Sequence, residues 1–185
     1  MLPKDGDSQD VANWRPIVIL PILYKLFVRL IYKRVASTLF GVQSRDQHAF
    51  TPKIRLEDAL FCVEVATEFA NEFNIPVWMI SMAMRKAFDT IDHDALFQAL
   101  HNCGIADEYI SFIALLYSNQ SGTVHGSRQF KISNGVKQGD ISSLIFFNCV
   151  LDAAFDKWKH ELQDEGSFLA NCKTVWRIQG MPTIF

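Results

Sequence analysis

Apolar side chains recur at helical spacing in two early stretches of the chain. In residues 23–40 the repeating positions are Leu23, Leu26, Phe27, Leu30 and Ile31, with basic side chains between them. In residues 57–73 they are Leu60, Phe61, Val65 and Phe69. Steps of three and four residues place such side chains on one side of a helix. The pattern therefore predicts two amphipathic helices.

The pattern changes after Pro76, where residues 77–82 form a nearly unbroken apolar run that predicts a buried strand. Three further helices are predicted, one from Asp92 or His93 to Cys103-Gly104, one over residues 106–117 and one over 141–158. Residues 122–124 and 129–132 predict a short hairpin around Gly126, and Asn134-Gly135 predicts a tight turn. Together these elements predict an α+β fold that is rich in helices and has a small antiparallel sheet.

Composition supports a packed core. The chain has 185 residues, 49% of them hydrophobic, and includes fifteen Phe. This is enough for one compact domain or for part of a larger one, and it argues against disorder. The formal net charge of -2 is less basic than is usual for a nucleic-acid enzyme. A local basic groove stays compatible with that charge.

The four cysteines are scattered along the chain at Cys62, Cys103, Cys149 and Cys172, with no Cys-x-x-Cys pair and no clustered histidines. Neither a zinc site nor a disulfide framework is expected, and buried reduced thiols are the simplest interpretation. The polar N-terminus does not resemble a signal peptide, and residues 17–31 are too short and too charged to span a bilayer. An intracellular protein, in the cytoplasm or the nucleus, is expected.

Four motifs follow one another along the chain. The first is Asn-Trp-Arg-Pro-Ile at 13–17, followed by Tyr-Lys-Leu at 24–26 and Arg34, and the second is Gln-His-Ala-Phe at 47–50, followed by Glu-Asp-Ala-Leu at 57–60. The third is Arg-Lys-Ala-Phe-Asp-Thr-Ile-Asp-His at 85–93, and the fourth is Gly-Val-Lys-Gln-Gly-Asp at 135–140, with Ser143 and Phe-Asn at 147–148 behind it. In this order and at these intervals they resemble the reverse transcriptases of non-LTR (LINE-like) retrotransposons, over about residues 2–160. The resemblance implies a partial right-hand polymerase fold, with fingers and an incomplete palm in residues 1–160. It also implies an RNA template and a DNA primer as partners.

Family members transfer nucleotides with two Mg²⁺ ions held by carboxylates, the ligands that this hard cation prefers. The resemblance places the first of these carboxylates five residues before the Phe of the Ala-Phe-Asp triplet, where this chain has Ala83. A methyl group binds no metal. Asp89 lies six residues further on, roughly 20 Å away along an extended strand, and is therefore not expected to replace it. No cofactor is expected in this chain.

The family's second metal motif is an adjacent Asp pair, and no such pair follows residue 140. Codons that can encode Gly180, Met181, Pro182, Thr183 and Ile184 spell Tyr-Ala-Asp-Asp when they are read one base earlier. A frameshift between about residues 155 and 174 would explain a divergent tail at 161–185. An unrelated tail whose codons permit this reading is the alternative.

The resemblance also implies roles for individual side chains. Phe88 matches the aromatic that lies under the sugar of the incoming nucleotide, and Gln138 with Gly139 matches the contact with that nucleotide and the template. The alternatives are a core residue for Phe88 and a polar turn residue for Gln138. Arg15 and Lys25 match basic finger residues that contact phosphates, although solvated charge explains them equally well.

Two further predictions concern neighbouring segments. Lys53 and Arg55 resemble finger contacts, but Ala49 and Thr51 stand where the family usually has Gly and Arg, which weakens that assignment. The Asp-His-Asp run at 92–94 resembles a metal cluster but is better explained as a helix cap.

Three functions are compatible with the sequence. The first is an inactive reverse transcriptase fragment, the second is a module that binds RNA or an RNA–DNA hybrid without catalysis, and the third is a polymerase that takes its carboxylates from another chain. Because the later palm hairpin is missing, the apolar faces of residues 77–82 and 141–150 are expected to be partly uncovered, which favours aggregation.

Overall fold

The computed structural model describes residues 2–3, 14–15, 17–45, 47–76, 79, 81, 83–123 and 128–164. This part of the chain contains five α-helices and two two-stranded sheets. The helices are α1 (Ile22–Val42), α2 (Leu56–Glu72), α3 (His93–Asn102), α4 (Asp107–Tyr117) and α5 (Ser143–Asp164). The strands are β1 (Leu2–Pro3), β2 (Trp14–Arg15), β3 (Ser121–Gly122) and β4 (Phe130–Lys131).

Both sheets are antiparallel and very small. In the first, β1 pairs with β2 so that Leu2 lies opposite Arg15, and in the second, β3 pairs with β4 so that Ser121 lies opposite Lys131. The second sheet confirms the predicted hairpin, although its strands are two residues long. Its predicted tip at Gly126 lies outside the described residues. The α+β class is confirmed.

The core forms where α3 and α4 pack together and α5 packs across α3. Its most enclosed apolar side chains are Leu96 and Leu100 of α3, Ile113 of α4 and Phe146 of α5. Helix α1 contributes Ile31, Val35 and Leu39 to the same core. Burial of this apolar surface is the main favourable term in folding.

Local signals fix the two ends of α3. The Asp92 carboxylate accepts a hydrogen bond from the Ala95 backbone N–H at 3.0 Å, and Asp94 lies in the first helical turn. At the other end Gly104 adopts a φ of +80°, a conformation that glycine reaches without steric cost. Both predicted boundaries are confirmed, and Asp92 acts as a helix cap.

The predicted apolar faces of α1 and α2 are largely wrong, although both helices exist, because Ile31 is the one predicted position that is buried. The side chains of Leu23, Leu26 and Leu30 are 80%, 56% and 65% exposed, while α1 buries Val28, Ile31, Val35 and Leu39. In α2 all four predicted positions are exposed, and only Ala59 and Ala70 are buried. Apart from Ile31, the apolar side chains that defined each pattern are not covered by other described residues.

The predicted strand at residues 77–82 is wrong where it is described. Met79 and Ser81 are exposed and lie in no strand; the other four residues lie outside the described part of the chain. A strand is stabilised by pairing with a neighbour, and the four described strands pair only within their own two sheets.

The last helix also differs from expectation. It begins at Ser143 and continues to Asp164, beyond the predicted end at residue 158. Ile145, Phe146, Phe147, Asn148 and Cys149 are all buried, so residues 141–150 are largely covered, against the prediction, with Ile141 an exception at 49% exposure. Among the residues described, no helix is long and apolar enough to cross a membrane. Residues 165–185, most of the predicted divergent tail, lie outside the described residues.

Candidate functional site

The segments around Phe88 and Gln138 lie side by side. The backbone N–H of Val136 donates to the Phe88 carbonyl at 2.8 Å, and that of Gly135 donates to the Ile91 carbonyl at 2.7 Å. Gly135 has a φ of +90°, and a Cβ there would lie 2.9 Å from the Asp89 Cα and carbonyl oxygen. Only glycine allows this approach of two backbones. The chain bends at Asn134, where the sequence predicted a tight turn, and Gly135 thus joins two motifs that are far apart in sequence.

Gln138 is held at both its side chain and its backbone. Its Nε2 donates to Asp89 Oδ1 at 3.1 Å, and its carbonyl accepts from the Val18 N–H at 3.0 Å. The next residue, Gly139, has a φ of +110°, and a Cβ there would lie 3.2 Å from the Val18 carbonyl oxygen. The segment before α1 therefore crosses directly over the Gln138-Gly139 peptide.

Asp89 does not lie on an extended strand. The chain turns at residues 85–89, where Lys86 has a φ of 52° and its carbonyl accepts the Asp89 N–H at 2.8 Å. The extended distance of roughly 20 Å from Ala83 is therefore an upper bound that the chain does not reach. The Asp89 carboxylate accepts the Gln138 amide, which occupies one of its oxygens.

A partly buried polar cluster of Tyr24, Lys137 and Asp140 lies beside this segment and joins it to α1. The ammonium of Lys137 donates to the Tyr24 hydroxyl at 2.8 Å and to the Leu116 carbonyl at 3.1 Å, and the Tyr24 hydroxyl donates to Asp140 Oδ2 at 3.1 Å. Lys137 Nζ also lies 4.2 Å from the Tyr24 ring centre and 5.2 Å from that of Tyr117, distances at which cations are attracted to aromatic faces.

Burial changes the acid–base behaviour of this cluster. It raises the pKa of Tyr24 and of Tyr117 well above the ordinary value, and the nearby Asp140 carboxylate raises both further. Burial lowers the pKa of Lys137, and the Asp140 charge opposes that shift. Asp140 also accepts the Ser142 N–H at 3.2 Å and so contributes to the start of α5. Sequence reasoning quoted Tyr24, Lys137 and Asp140 within motifs but gave them no role.

Phe88 is a core side chain in this structure. It is 7% exposed and stacks on Phe147 of α5, with ring centres 4.5 Å apart and planes 25° apart. Aromatic pairs in such arrangements contribute stability beyond their buried area. Its family role at the sugar stays a prediction.

The buried amide of Asn148 in α5 binds the second motif, Gln-His-Ala-Phe at 47–50. Asn148 is 1% exposed; it accepts a hydrogen bond from Gln47 Nε2 and donates one to the Ala49 carbonyl, each at 2.9 Å. Nearby, the Ser44 N–H donates to the Asp152 carboxylate at 3.1 Å. These bonds satisfy polar groups that would be costly to bury alone. They explain why an Asn and a Gln occupy these two motif positions.

The remaining predicted positions lie elsewhere. Arg15 lies in β2, Lys25 is exposed on α1, and Ala83 is exposed outside any helix or strand. Lys53 and Arg55 are exposed just before α2, where the Arg55 N–H donates to Asp58. His93 is a partner that sequence reasoning missed: its Nε2 lies 2.9 Å from the Gly135 carbonyl oxygen. The sequence around His93 predicts only the start of a helix and does not indicate a contact with a residue 42 positions later.

The amino-acid sequence matches one protein family. The family model described as reverse transcriptase (RNA-dependent DNA polymerase) matches residues 2–175, and the chain belongs to this family. It is a reverse transcriptase domain of the non-LTR retrotransposon type.

Particular relatives are retrotransposon proteins. A Pol polyprotein from the type-1 retrotransposable element R2 of Popillia japonica is 32% identical over 82% of this chain. The R2DM Pol polyprotein of Drosophila melanogaster is 23% identical over 82% of the chain, and a transposon TX1 protein of Xenopus laevis is 29% identical over 64%. The chain covers 22%, 14% and 9% of these three proteins, respectively.

Proposed function

We propose that this reverse transcriptase fragment does not catalyse nucleotide transfer. The observation that carries the proposal is Ala83, which the motif resemblance places where family members have their first metal-binding Asp. Two-metal catalysis depends on carboxylate oxygens that hold the ions between the attacking and leaving oxygens. Each ~1.4 kcal/mol of lost transition-state stabilisation lowers the rate tenfold, so losing one ligand is expected to be severe.

Neighbouring acids are poorly suited to replace that ligand. Asp89 accepts the Gln138 amide, and Asp140 is buried with hydrogen bonds from Tyr24 and Ser142. Among the described residues, no three His, Cys, Asp or Glu side chains are grouped so that they could hold an ion. Intact family members use Mg²⁺, and a two-ion centre needs more free carboxylates than Ala83, Asp89 and Asp140 supply.

We assign the chain to a partial right-hand polymerase, with fingers and an incomplete palm. Two contacts support this arrangement. The Tyr24–Lys137–Asp140 cluster joins the first finger motif to the last palm motif, and the Gln47–Asn148 bond joins the second finger motif to α5.

Primer extension by the purified full chain tests the loss of catalysis. We expect no incorporation with Mg²⁺ or Mn²⁺ on an RNA template, while an intact reverse transcriptase in the same buffer extends the primer. Extension by this chain would overturn the proposal. If Asp89→Asn then abolished that extension, Asp89 would be the replacement ligand; if the rate per molecule rose with protein concentration, a second copy would supply the carboxylates.

The second candidate is a binding module that holds RNA or an RNA–DNA hybrid. The observation that favours it is Gln138, which the fold fixes through Asp89 and Val18 although the metal ligand is lost. We expect salt-dependent binding of a primer–template, because phosphate contacts release counterions. Gln138→Ala should weaken binding, whereas Gln98→Ala, an exposed amide on α3, should not.

Basic finger residues give a second test of the binding module. Lys25→Ala should lower both the affinity and its salt dependence, in contrast to Lys157→Ala on the exposed side of α5. Affinity no higher than that of an unrelated acidic protein at low salt would count against this function.

The proposed frameshift concerns the coding DNA. It requires that CCG encode Pro182 and ACG encode Thr183, because their third bases begin the two Asp codons of the other frame. Sequencing the gene across residues 155–185 tests this directly. Any other codon at either position would exclude the frameshift.

A further inference from the structure

Two of the four cysteines, scattered in sequence, meet in the fold. Cys103 follows the last residue of α3 and Cys149 lies in α5, 46 residues later, yet their Sγ atoms are 2.9 Å apart. This separation is roughly 0.9 Å longer than a disulfide bond. Small side-chain rotations would therefore be enough to bring the sulfurs within bonding distance.

The two thiols differ in access and in acidity. Cys149 is 6% exposed, whereas Cys103 is partly exposed. The hydrogen bond from the Cys149 S–H lowers the pKa of Cys103, because it stabilises the Cys103 thiolate; the same contact and burial raise the pKa of Cys149. The more accessible sulfur is thus also the better nucleophile, since the thiolate is the reactive form.

A groove of about 320 Å³ opens beside this pair. Leu39, Val42, Ala99 and Ile145 form apolar walls, and Asp152 and Asp156 add carboxylates. This volume suits a small molecule, and the carboxylates disfavour anionic reagents such as glutathione disulfide. A small uncharged oxidant matches the groove best.

We propose that Cys103 and Cys149 form a reversible dithiol–disulfide site that is oxidised by hydrogen peroxide. The Cys103 thiolate attacks one peroxide oxygen, the O–O bond breaks, and protonation of the leaving oxygen gives water and a sulfenic acid. The Cys149 sulfur then attacks the Cys103 sulfur, displaces the hydroxyl as a second water, and forms the disulfide. Two thiols lose two hydrogens and two electrons, and one peroxide becomes two waters.

The bond would link the C-terminal end of α3 to α5 directly beside Asn148, which binds Gln47 and Ala49. Oxidation would therefore fix the part of α5 that connects it to the second motif. A crosslink that closes a 46-residue separation also restricts the unfolded chain.

Mass spectrometry of the full chain with Cys62 and Cys172 changed to serine tests the site. Limited hydrogen peroxide should lower the monomer mass by about 2 Da, and digestion should yield one peptide pair joined through Cys103 and Cys149. A thiol reductant should restore the original mass. A stable Cys103 sulfenic acid with Cys149 present, or crosslinked dimers in place of the internal bond, would overturn the proposal.

Single variants separate the two roles. Cys149→Ser should leave a sulfenic acid at Cys103 that dimedone captures, whereas Cys103→Ser should greatly slow any reaction of the buried Cys149. Cys62→Ser alone is the matched control and should leave the mass loss unchanged.

A second measurement avoids dependence on variants that fold poorly. Phenylarsine oxide binds two neighbouring thiols with release of one water, so the reduced chain should form a one-to-one adduct that survives a monothiol wash. Prior peroxide treatment should prevent the adduct. An adduct that forms equally after oxidation would contradict the assignment.

Discussion

Helices α5 and α2 are both apolar, yet one is enclosed and the other is not. In α5, Ile145, Phe146 and Phe147 are each no more than 3% exposed. In α2, Leu60, Phe61 and Phe69 are 57%, 65% and 54% exposed. Helix α5 packs against α3 and α1, whereas the described residues place no comparable partner over α2. Apolar spacing therefore predicts a helix, but burial depends on which elements meet it.

The same contrast runs along α1. Val35 and Leu39 reach the core, while Ile22 and Leu23 in the first turn are 77% and 80% exposed. A helix face with several neighbouring exposed apolar side chains marks a surface that binds a partner or promotes aggregation. The exposed apolar surface is thus concentrated on α1 and α2. In the segment 77–82, where the sequence predicted exposed apolar surface, Met79 is 64% exposed, whereas the predicted exposure at 141–150 is wrong apart from Ile141.

The largest effect should come from the centre of the core. We expect Phe146→Ala to lower the free energy of unfolding by about 3–5 kcal/mol, because it removes a buried ring and leaves a cavity. Phe61→Ala on α2 is the matched control and should cost less than about 1 kcal/mol. Urea denaturation measures both. Equal losses would mean that α2 is covered in solution.

The second-largest loss of stability is expected at the buried amide of Asn148. Asn148→Ala removes the partner of Gln47 and of the Ala49 carbonyl, and we expect a loss of about 2–3 kcal/mol from the free energy of unfolding. Asn102→Ala breaks an exposed bond from Gln98 and should change it by less than about 0.5 kcal/mol. A neutral Asn148 variant would show that the second motif is not held through this amide.

A smaller effect is expected at the polar cluster. Tyr24→Phe removes the hydroxyl between Lys137 and Asp140 and should cost about 1 kcal/mol near neutral pH. Because folding raises the Tyr24 pKa, the unfolded chain ionises first, and the stability this group contributes is complete below about pH 10 and falls at higher pH. Above about pH 10, the free energy of unfolding should therefore fall less steeply with pH in Tyr24→Phe than in the parent chain. Parallel alkaline curves for the two proteins would contradict the assigned burial.

The smallest change in stability should come from the exposed stripe of α2. Leu60→Glu together with Phe69→Lys should alter the free energy of unfolding by less than about 1 kcal/mol. These variants should nevertheless reduce aggregation, measured by light scattering, because they interrupt an apolar surface. A parent chain that is monomeric and unfolds in one sharp transition would contradict the expected aggregation.

Local signals determined much of this protein. Helical spacing, the Asp92 cap and the Gly104 stop located the helices, and the order of four motifs identified the family. The absence of a carboxylate at Ala83 is likewise a property of the sequence alone. These features depend on neighbouring residues or on the identity of one side chain, so they can be read without coordinates.

Only the tertiary structure decided which faces are buried and which distant residues meet. Three contacts show this: the approach of Gly135 to Asp89, the bond between Lys137 and Tyr24, and the contact of Cys103 with Cys149. Each joins two positions that are at least 46 residues apart in the sequence. No periodicity encodes such pairs, because burial is set by the packing of whole elements. The exposed stripes of α1 and α2 have the same cause: an apolar face is enclosed only where another element lies against it.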